Sequence, residues 1–478
     1  MQLNKNIIFL LSGRIIQVII MFASLRLLTE ILSPEELSNY YLILAYIAFF
    51  NLVLLNPPGM YFSRNLLLWK ESSNLLSVTF IYFLYILLVS LISIPISTFV
   101  YHVFDYTTRF DLVTLVSYSF TAIIISTIHR NLLNGNNMLG YAKEFVFFTI
   151  LTVAVGFAFS LLFVTYFNDS AFSWLYGKIT GEILTFIFIF RLFRTNNHLN
   201  RLVIKKMVNK DSLIKVLYFS GPIAITTLLM WGQTTAYRFI VDYRFPGEVL
   251  GSIAVGLSVA SAVFNSLETV AMQYFNPIFY KRILKANKNE RTNAWNEMAS
   301  NLVPIYILAF AFIVSMAEPL VHILLSSKFE HVFIYTIIGA SIEFFRVMTN
   351  CLDYVAKSEY KNSITIKPYL LGCCIALIST SLFDVGEDYY LLPMFLSLAY
   401  FSVFVLMYFY TKRILPIQYK VNFKKVILLL IPFSISYFIN FENLKLYIEL
   451  IITFIFGLYF LFGVFLMYKG NNLVEERK

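Results

Sequence analysis

Residues 25–36 read LRLLTEILSPEE, and residues 237–248 read YRFIVDYRFPGE. Arg26 aligns with Arg238, Glu30 with Asp242, Pro34 with Pro246 and Glu36 with Glu248, at a constant offset of 212. Further upstream, Ser12-Gly13 matches Ser220-Gly221 with a four-residue shift. A second echo follows, NPPGMYFSR at 56–64 and NPIFYKR at 276–282. In each copy an arginine and an acid stand four residues apart, so they share a helix face. Proline then ends that helix and starts a turn. The chain is therefore built from two related halves.

The composition says what those halves are made of. Of 478 residues, 59% are hydrophobic and only 13% are charged, and the mean hydropathy is +0.73. Soluble domains carry about 25% charged residues, so this is an all-α integral membrane protein. A membrane helix needs roughly 20 mostly apolar residues. Fourteen such stretches occur, near 7–31, 38–58, 75–100, 110–130, 144–167, 171–193, 214–240, 249–275, 299–325, 331–356, 363–383, 389–410, 425–440 and 445–468. The first is read as a span and not as a cleaved signal peptide, because Arg14 interrupts it and no small-x-small cleavage site follows before Leu32. With both termini cytoplasmic, 28 of the 37 Lys and Arg residues fall on the inner side and 4 on the outer. That asymmetry follows the positive-inside rule.

The first and seventh spans correspond and lie six spans apart, so the two copies share one orientation. The repeat is parallel, with a pseudo-twofold axis along the membrane normal. The expected architecture is a six-helix lobe over 1–193, a basic cytoplasmic linker over 194–213, a second six-helix lobe over 214–413, and two additional C-terminal helices over 414–478. Seven Lys and Arg lie between Arg191 and Lys215. They suit either a short interfacial helix on anionic lipid or a solvated linker.

Several function classes are excluded. The formal charge of +10 is loop charge and does not indicate nucleic acid. Three cysteines and five histidines stand at no metal-ligand or disulfide spacing, so no metal and no cofactor is expected. Gly177-Lys178-Ile179-Thr180 lacks the upstream Gly and the adjacent Ser/Thr of a Walker A loop. The outer loops are short, which disfavours a membrane glycan polymerase with catalytic acids on an outer domain. The chain is expected to be a secondary transporter and not an enzyme.

The stretch LSPEELSNYYLI after Arg26, and FSGPIAITTLLMWGQTTAYRFIVDYRFPGEVLGSIAV in the second half, resemble the helix-opening motifs of a known family. These are the polysaccharide (Wzx-type, O-antigen) flippases of the multidrug/oligosaccharidyl-lipid/polysaccharide (MOP) exporter superfamily. Tyr237 stands where Asp commonly precedes the second arginine, so Asp242 is left to serve Arg238. The resemblance implies flipping of an undecaprenyl-diphosphate-linked oligosaccharide, an O-antigen or capsule repeat unit of lipopolysaccharide or polysaccharide biosynthesis. It implies alternating access in a bacterial inner membrane by a monomer, with anionic lipids and a glycan polymerase as neighbours. A multidrug or cation exporter and a lipid II flippase of the same superfamily are the competing readings.

An anionic diphosphate at membrane depth needs fixed cations. Arg14, Arg26, Lys178, Arg238 and Arg346 are the five within the spans and are the candidate diphosphate ligands. Glu182, Glu268, Glu343 and Asp242 are the candidate ion-coupling or gate residues. Lys178 and Glu182, and Glu343 and Arg346, are spaced to pair on their own helices. Arg14 and Glu268 have no opposite charge within four residues. They are expected to meet across the two lobes and to close the cytoplasmic side.

Overall fold

A computed structural model describes residues 5–194, 209–284, 286–359, 361–441 and 444–475. Most of the basic linker lies outside them. Two compact units emerge. The first comprises residues 1–24, 35–231 and 242–244; the second comprises 25–34, 232–241 and 245–478.

In the first unit, α1 (Lys5–Ile31, of which residues 25–31 belong to the second unit) precedes α2 (Pro34–Phe49, all but Pro34 in the first), which runs through a π-helical turn at Phe50–Leu55 into α3 (Asn56–Glu71). Then come α4 (Leu75–Val103), α5 (Leu112–Met138), α6 (Ala142–Tyr166), α7 (Ala171–Arg194) and α8 (Lys210–Trp231). The starts of these helices are set by local chemistry. Pro34 opens α2 at a position where its missing N–H costs nothing. Asp111 caps α5 by accepting from Thr114 N. The Glu36 carboxylate accepts from Ala171 N, the first amide of α7, at 2.7 Å, where the helix dipole favours negative charge.

The second unit holds the π turn Gly232–Ala236 and α9 (Tyr237–Arg244, of which the last three residues belong to the first unit). It continues with α10 (Gly247–Ile283), α11 (Lys288–Ser315), α12 (Ala317–Leu324), α13 (Phe333–Ser358), α14 (Ile366–Leu382), α15 (Leu391–Ile414), α16 (Phe423–Leu430) and α17 (Leu446–Glu475). Asn287 and Glu290 form a reciprocal capping box that starts α11.

The distribution of polarity is that of a protein solvated by hydrocarbon. On α4, Phe80, Leu84, Leu88 and Leu91 point outward and are exposed. Its serines 77, 90, 93 and 97 are fully buried. Tyr46 Oη reaches Ser97 Oγ at 2.8 Å, and serines 90, 93 and 97 bond back to carbonyls on their own helix. On α17, Leu450, Phe454, Leu458, Leu461 and Phe465 form an exposed apolar stripe at helical spacing. Water gives no reason to face leucine out and serine in; lipid does.

Eleven stretches among the described residues are long and apolar enough to cross a membrane. All fourteen expected spans coincide with helical segments, but three fall outside those eleven. The stretch 7–31 is α1. The stretch 171–193 is α7, where Lys178 and Glu182 lower the hydropathy. The stretch 425–440 consists of two short pieces, α16 and a 3₁₀ segment Ile431–Phe438 opening on Pro432.

The unit boundaries explain why an apolar helix closes on polar residues at 25–36. Residues 25–34 belong to the second unit. Arg26 donates to the His322 carbonyl at 2.8 Å, Ser326 N donates to Thr29 Oγ1 at 3.0 Å, and Lys328 Nζ donates to the Glu30 carbonyl at 2.9 Å. The polar end is thus a set of docking contacts onto α12 and the turn after it. Conversely α8, placed by sequence at the start of the second lobe, packs on α3 and the π turn of the first unit. Trp231 Nε1 donates to the Ala45 carbonyl there.

Candidate functional site

The nine charged residues singled out by sequence fall into separate settings. In the second unit, Glu268 of α10 and Glu343 and Arg346 of α13 come together. Arg346 Nε donates to Glu343 at 2.6 Å, Nη1 to Glu268 at 2.8 Å and Nη2 to Asn265 at 2.8 Å. Asn350 donates to the other oxygen of Glu268 at 2.8 Å. One guanidinium thus serves two carboxylates and an amide from three separate nitrogens, a spread that the single nitrogen of a lysine does not have. The i,i+3 pair on α13 agrees with its spacing. For Glu268, expected to pair with Arg14, the structure supplies Arg346 and Asn350. Arg14 donates to Gln17 on its own helix at 2.7 Å and is half-buried.

In the first unit, Lys178 and Glu182 turn to other helices. Lys178 Nζ donates to Tyr40 Oη at 2.5 Å and lies 4.9 Å from the centre of that ring. Glu182 accepts from Ser126 Oγ at 2.5 Å. The i,i+4 spacing leaves both side chains on the face of α7 that meets α2 and α5, and partners from those helices take them.

Asp242 accepts from Arg109 at 2.5 Å, with only 3% of its side chain exposed. Arg109 is a partner that the sequence did not indicate. Asp242 lies at the end of α9 that joins the first unit, where Arg109, from the turn between α4 and α5, reaches it. Arg238 is half-buried in the part of α9 that belongs to the second unit. Asp242→Asn and Arg109→Gln should therefore each lower the melting temperature, and the double variant should lose less than the sum. Full additivity in that cycle would contradict the Arg109–Asp242 pairing.

Two cavities lie within single units. That of the second unit, about 690 Å³, is lined by Arg26, Glu318, His322, Glu330, His331 and Glu449 among others. His322 Nδ1 sits 3.0 Å from the buried carboxylate of Glu449, tying α12 to α17. The cavity of the first unit, about 300 Å³, is lined by amides and Arg130. Arg130 Nη2 donates to Asn51 at 2.9 Å.

Sequence reading missed Arg130, His322 and Glu449. The expected span near 110–130 ends at Arg130, whereas α5 continues to Met138 and holds it inside a helix. The signal available was the cluster of asparagines after it, at 131, 134, 136 and 137.

Family and fold comparisons place this arrangement. A family model described as "Polysaccharide biosynthesis protein" matches residues 27–334. The chain belongs to the polysaccharide biosynthesis protein family. Its fold is that of the MOP superfamily. A lipid II flippase, MurJ, in an inward-closed conformation, superposes with a TM-score of 0.67 at 14% identity, covering 97% of this chain and 98% of that one. An inward-facing multidrug resistance MATE family transporter of the MOP superfamily gives 0.60 at 11% identity, covering 85% and 98%. A MOP superfamily transporter from Pyrococcus furiosus gives 0.56 at 13% identity, covering 86% and 96%. No curated protein matches the chain by sequence. The resemblance seen in the two arginine-proline motifs is borne out, and the chain is a multi-pass membrane protein of polysaccharide biosynthesis.

Proposed function

We propose that this protein flips an undecaprenyl-diphosphate-linked oligosaccharide, an O-antigen or capsule repeat unit, from the cytoplasmic to the outer leaflet of a bacterial inner membrane. The observation that carries this reading is the union of a polysaccharide biosynthesis family match with a transporter fold. Family and fold together favour moving a glycan over polymerising it. Fourteen spans in two six-helix lobes plus two helices, with both termini cytoplasmic, give a central path for alternating access. Reporter fusions after Asn287 and after Asn472 should both read cytoplasmic; an outer-side signal at either position contradicts this topology.

The charged residues fit an anionic cargo. Arg14, Arg26, Lys178, Arg238 and Arg346 supply positive charge within the spans, and an ion gradient acting through Glu182, Glu268 or Glu343 supplies the drive. Closure by an Arg14–Glu268 pair requires Glu268 to leave Arg346 and Asn350, so the gate is an exchange of partners biased by the state of the transporter. Flipping of a fluorescent lipid-linked glycan by the purified protein in vesicles tests the function. Flipping that accelerates under a proton or sodium gradient supports it, and vesicles that never flip the lipid overturn it. A second reading, a lipid II flippase, rests on coverage of 97% of the chain by that structure. Faster flipping of lipid II than of glycans lacking the peptide would favour it.

A further inference from the structure

The 300 Å³ cavity of the first unit has a construction that none of the predicted charged residues shares. Its wall begins at the π turn Phe50–Leu55, followed by Asn56-Pro57-Pro58. Proline has no N–H, so Pro57 and Pro58 remove the donors for the carbonyls four residues earlier. Those are the carbonyls of Val53 and Leu54. Tyr85 Oη, from α4, donates to the Leu54 carbonyl at 2.7 Å, and Tyr82 Oη, one turn earlier on the same helix, donates to the Leu55 carbonyl at 3.1 Å. One tyrosine thus replaces a donor that proline removes, and the second braces the next carbonyl along. The neighbouring amides are left for other work. π turns of this kind are frequent at functional sites.

The lining polar groups keep hydrogen-bonding capacity to spare. Asn51 Oδ1 accepts from Arg130 at 2.9 Å and from Thr127 at 3.3 Å, which leaves its NH₂ as a donor. Asn131 donates to the Thr127 carbonyl at 2.8 Å. Among the described residues, the side chains of Asn56, Ser63 and Asn134 make no hydrogen bond within the protein, and Asn56, Arg130 and Asn134 are exposed. Arg130 is anchored by one nitrogen and presents the rest of its fork. No carboxylate lines the cavity. Tyr82, stacked on Phe62 with ring centres 5.1 Å apart, gives it a rigid aromatic floor.

Neutral amides and a hydroxyl, each both donor and acceptor or nearly so, suit ring hydroxyls and acetamido groups. A single arginine fork suits a phosphate; Glu182 of α7, a carboxylate that feels Arg130, does not line the cavity and is bonded to Ser126. The volume is at the small end of ligand pockets, about 300–1,000 Å³, which limits the occupant to one sugar unit. We propose that this cavity binds the sugar 1-phosphate portion of the cargo, Arg130 holding the phosphate and Asn56, Ser63 and Asn134 reading the first sugar. The assignment to a cargo rests on the flippase reading above; the binding chemistry does not.

The test is equilibrium binding of soluble hexose 1-phosphates and N-acetylhexosamine 1-phosphates to the full-length protein in nanodiscs. Inorganic phosphate and the free sugars are the reference probes. A sugar phosphate should bind at least about tenfold more tightly than either reference, since one charged hydrogen-bonded contact is worth about a factor of ten. Arg130→Gln should reduce the sugar phosphate to the affinity of the free sugar. Asn134→Leu, at an exposed position with no internal bond to lose, should weaken sugar phosphate and free sugar alike while leaving the melting temperature unchanged. Equal binding of inorganic phosphate and sugar phosphate, binding indifferent to both substitutions, or no binding at millimolar probe each overturns the subsite. Wild-type protein that flips lipid-linked glycan while both variants bind and flip normally sinks the subsite alone. Binding lost on substitution in a protein that never flips sinks the flippase reading and leaves the subsite standing.

Discussion

Replacing Arg346 by glutamine is expected to lower the melting temperature sharply and to stop transport. Its guanidinium is shared by Glu343 and Glu268, so its removal leaves two carboxylates of like charge facing one another, with 11% and 16% of their side chains exposed. Breaking a buried ion pair by removing one member costs about 3–5 kcal/mol. The arginine retains 23% exposure, which puts the expected loss at the lower end, about 3 kcal/mol. Arg346→Lys should recover only part of it, because the three N–H donors of an ammonium all sit on one nitrogen and cannot reproduce the spacing of Nε, Nη1 and Nη2 to Glu343, Glu268 and Asn265. The informative variant neutralises the whole cluster: Glu268→Gln, Glu343→Gln and Arg346→Met together. Its stability should return close to wild type, since a desolvated charge cluster contributes little net stability. If transport returns with it, the cluster is scaffolding. If stability returns and transport does not, the charges serve the cargo or the coupling ion. A single Arg346→Gln variant that melts like wild type contradicts the whole account.

That cluster also shows how far a single sequence can be read. The Glu343–Arg346 pair was legible because i,i+3 spacing on a helix is a local property. The same holds for the all-α membrane class, since an apolar run reports its own solvent. Glu268 was legible only as a charge without a local partner. Its contact to Arg346 crosses from α10 to α13, 78 residues away, and no periodicity carries contacts between helices. Arg26 and Asp242 follow the same rule. Their partners lie 296 and 133 residues away, and one is a backbone carbonyl, which no sequence pattern marks. The internal repeat was visible as matched letters, yet each copy of the motif lies where the chain passes between units. Helix membership in a compact unit depends on packing area, and the repeat alone does not set it. The π turn at 50–55 had a sequence sign in Pro57-Pro58, but the tyrosine that serves the Leu54 carbonyl in place of Pro58 belongs to another helix.

Gly177 and Gly181 are expected to be the least substitutable positions in α7. The run Gly177-Lys178-Ile179-Thr180-Gly181 is not a phosphate loop; it is a small-xxx-small seam. Facing it on α6 are Gly156 and Ser160, again four residues apart, and α6 and α7 approach until their backbones touch. A Cβ on Gly181 would sit 2.5 Å from Gly156 N and 2.6 Å from its Cα. A Cβ on Gly177 would meet the backbone of Ser160 and Phe159. No rotamer relieves a clash with backbone, so the helices must part. Parting them strains the bond from Ser160 Oγ to the Trp174 carbonyl, now 2.7 Å between fully buried residues. It also shifts Lys178 and Glu182 off Tyr40 and Ser126. Overpacking of this kind costs about 1–3 kcal/mol and occasionally more; with backbone on both sides the upper end applies. Gly181→Ala should therefore lower the melting temperature by several degrees, and Gly181→Val should abolish folded protein. Gly457 supplies the control. It lies in α17, and a methyl group added there would have nothing within 4 Å, so Gly457→Ala should be neutral or gain up to about 1 kcal/mol from helix propensity alone. The opposite signs at two helical glycines separate close approach from propensity. Gly177→Ala and Gly181→Ala variants that both melt within about 2 °C of wild type, less than 1 kcal/mol is expected to produce, would show that the α6–α7 seam is not what holds the first unit together.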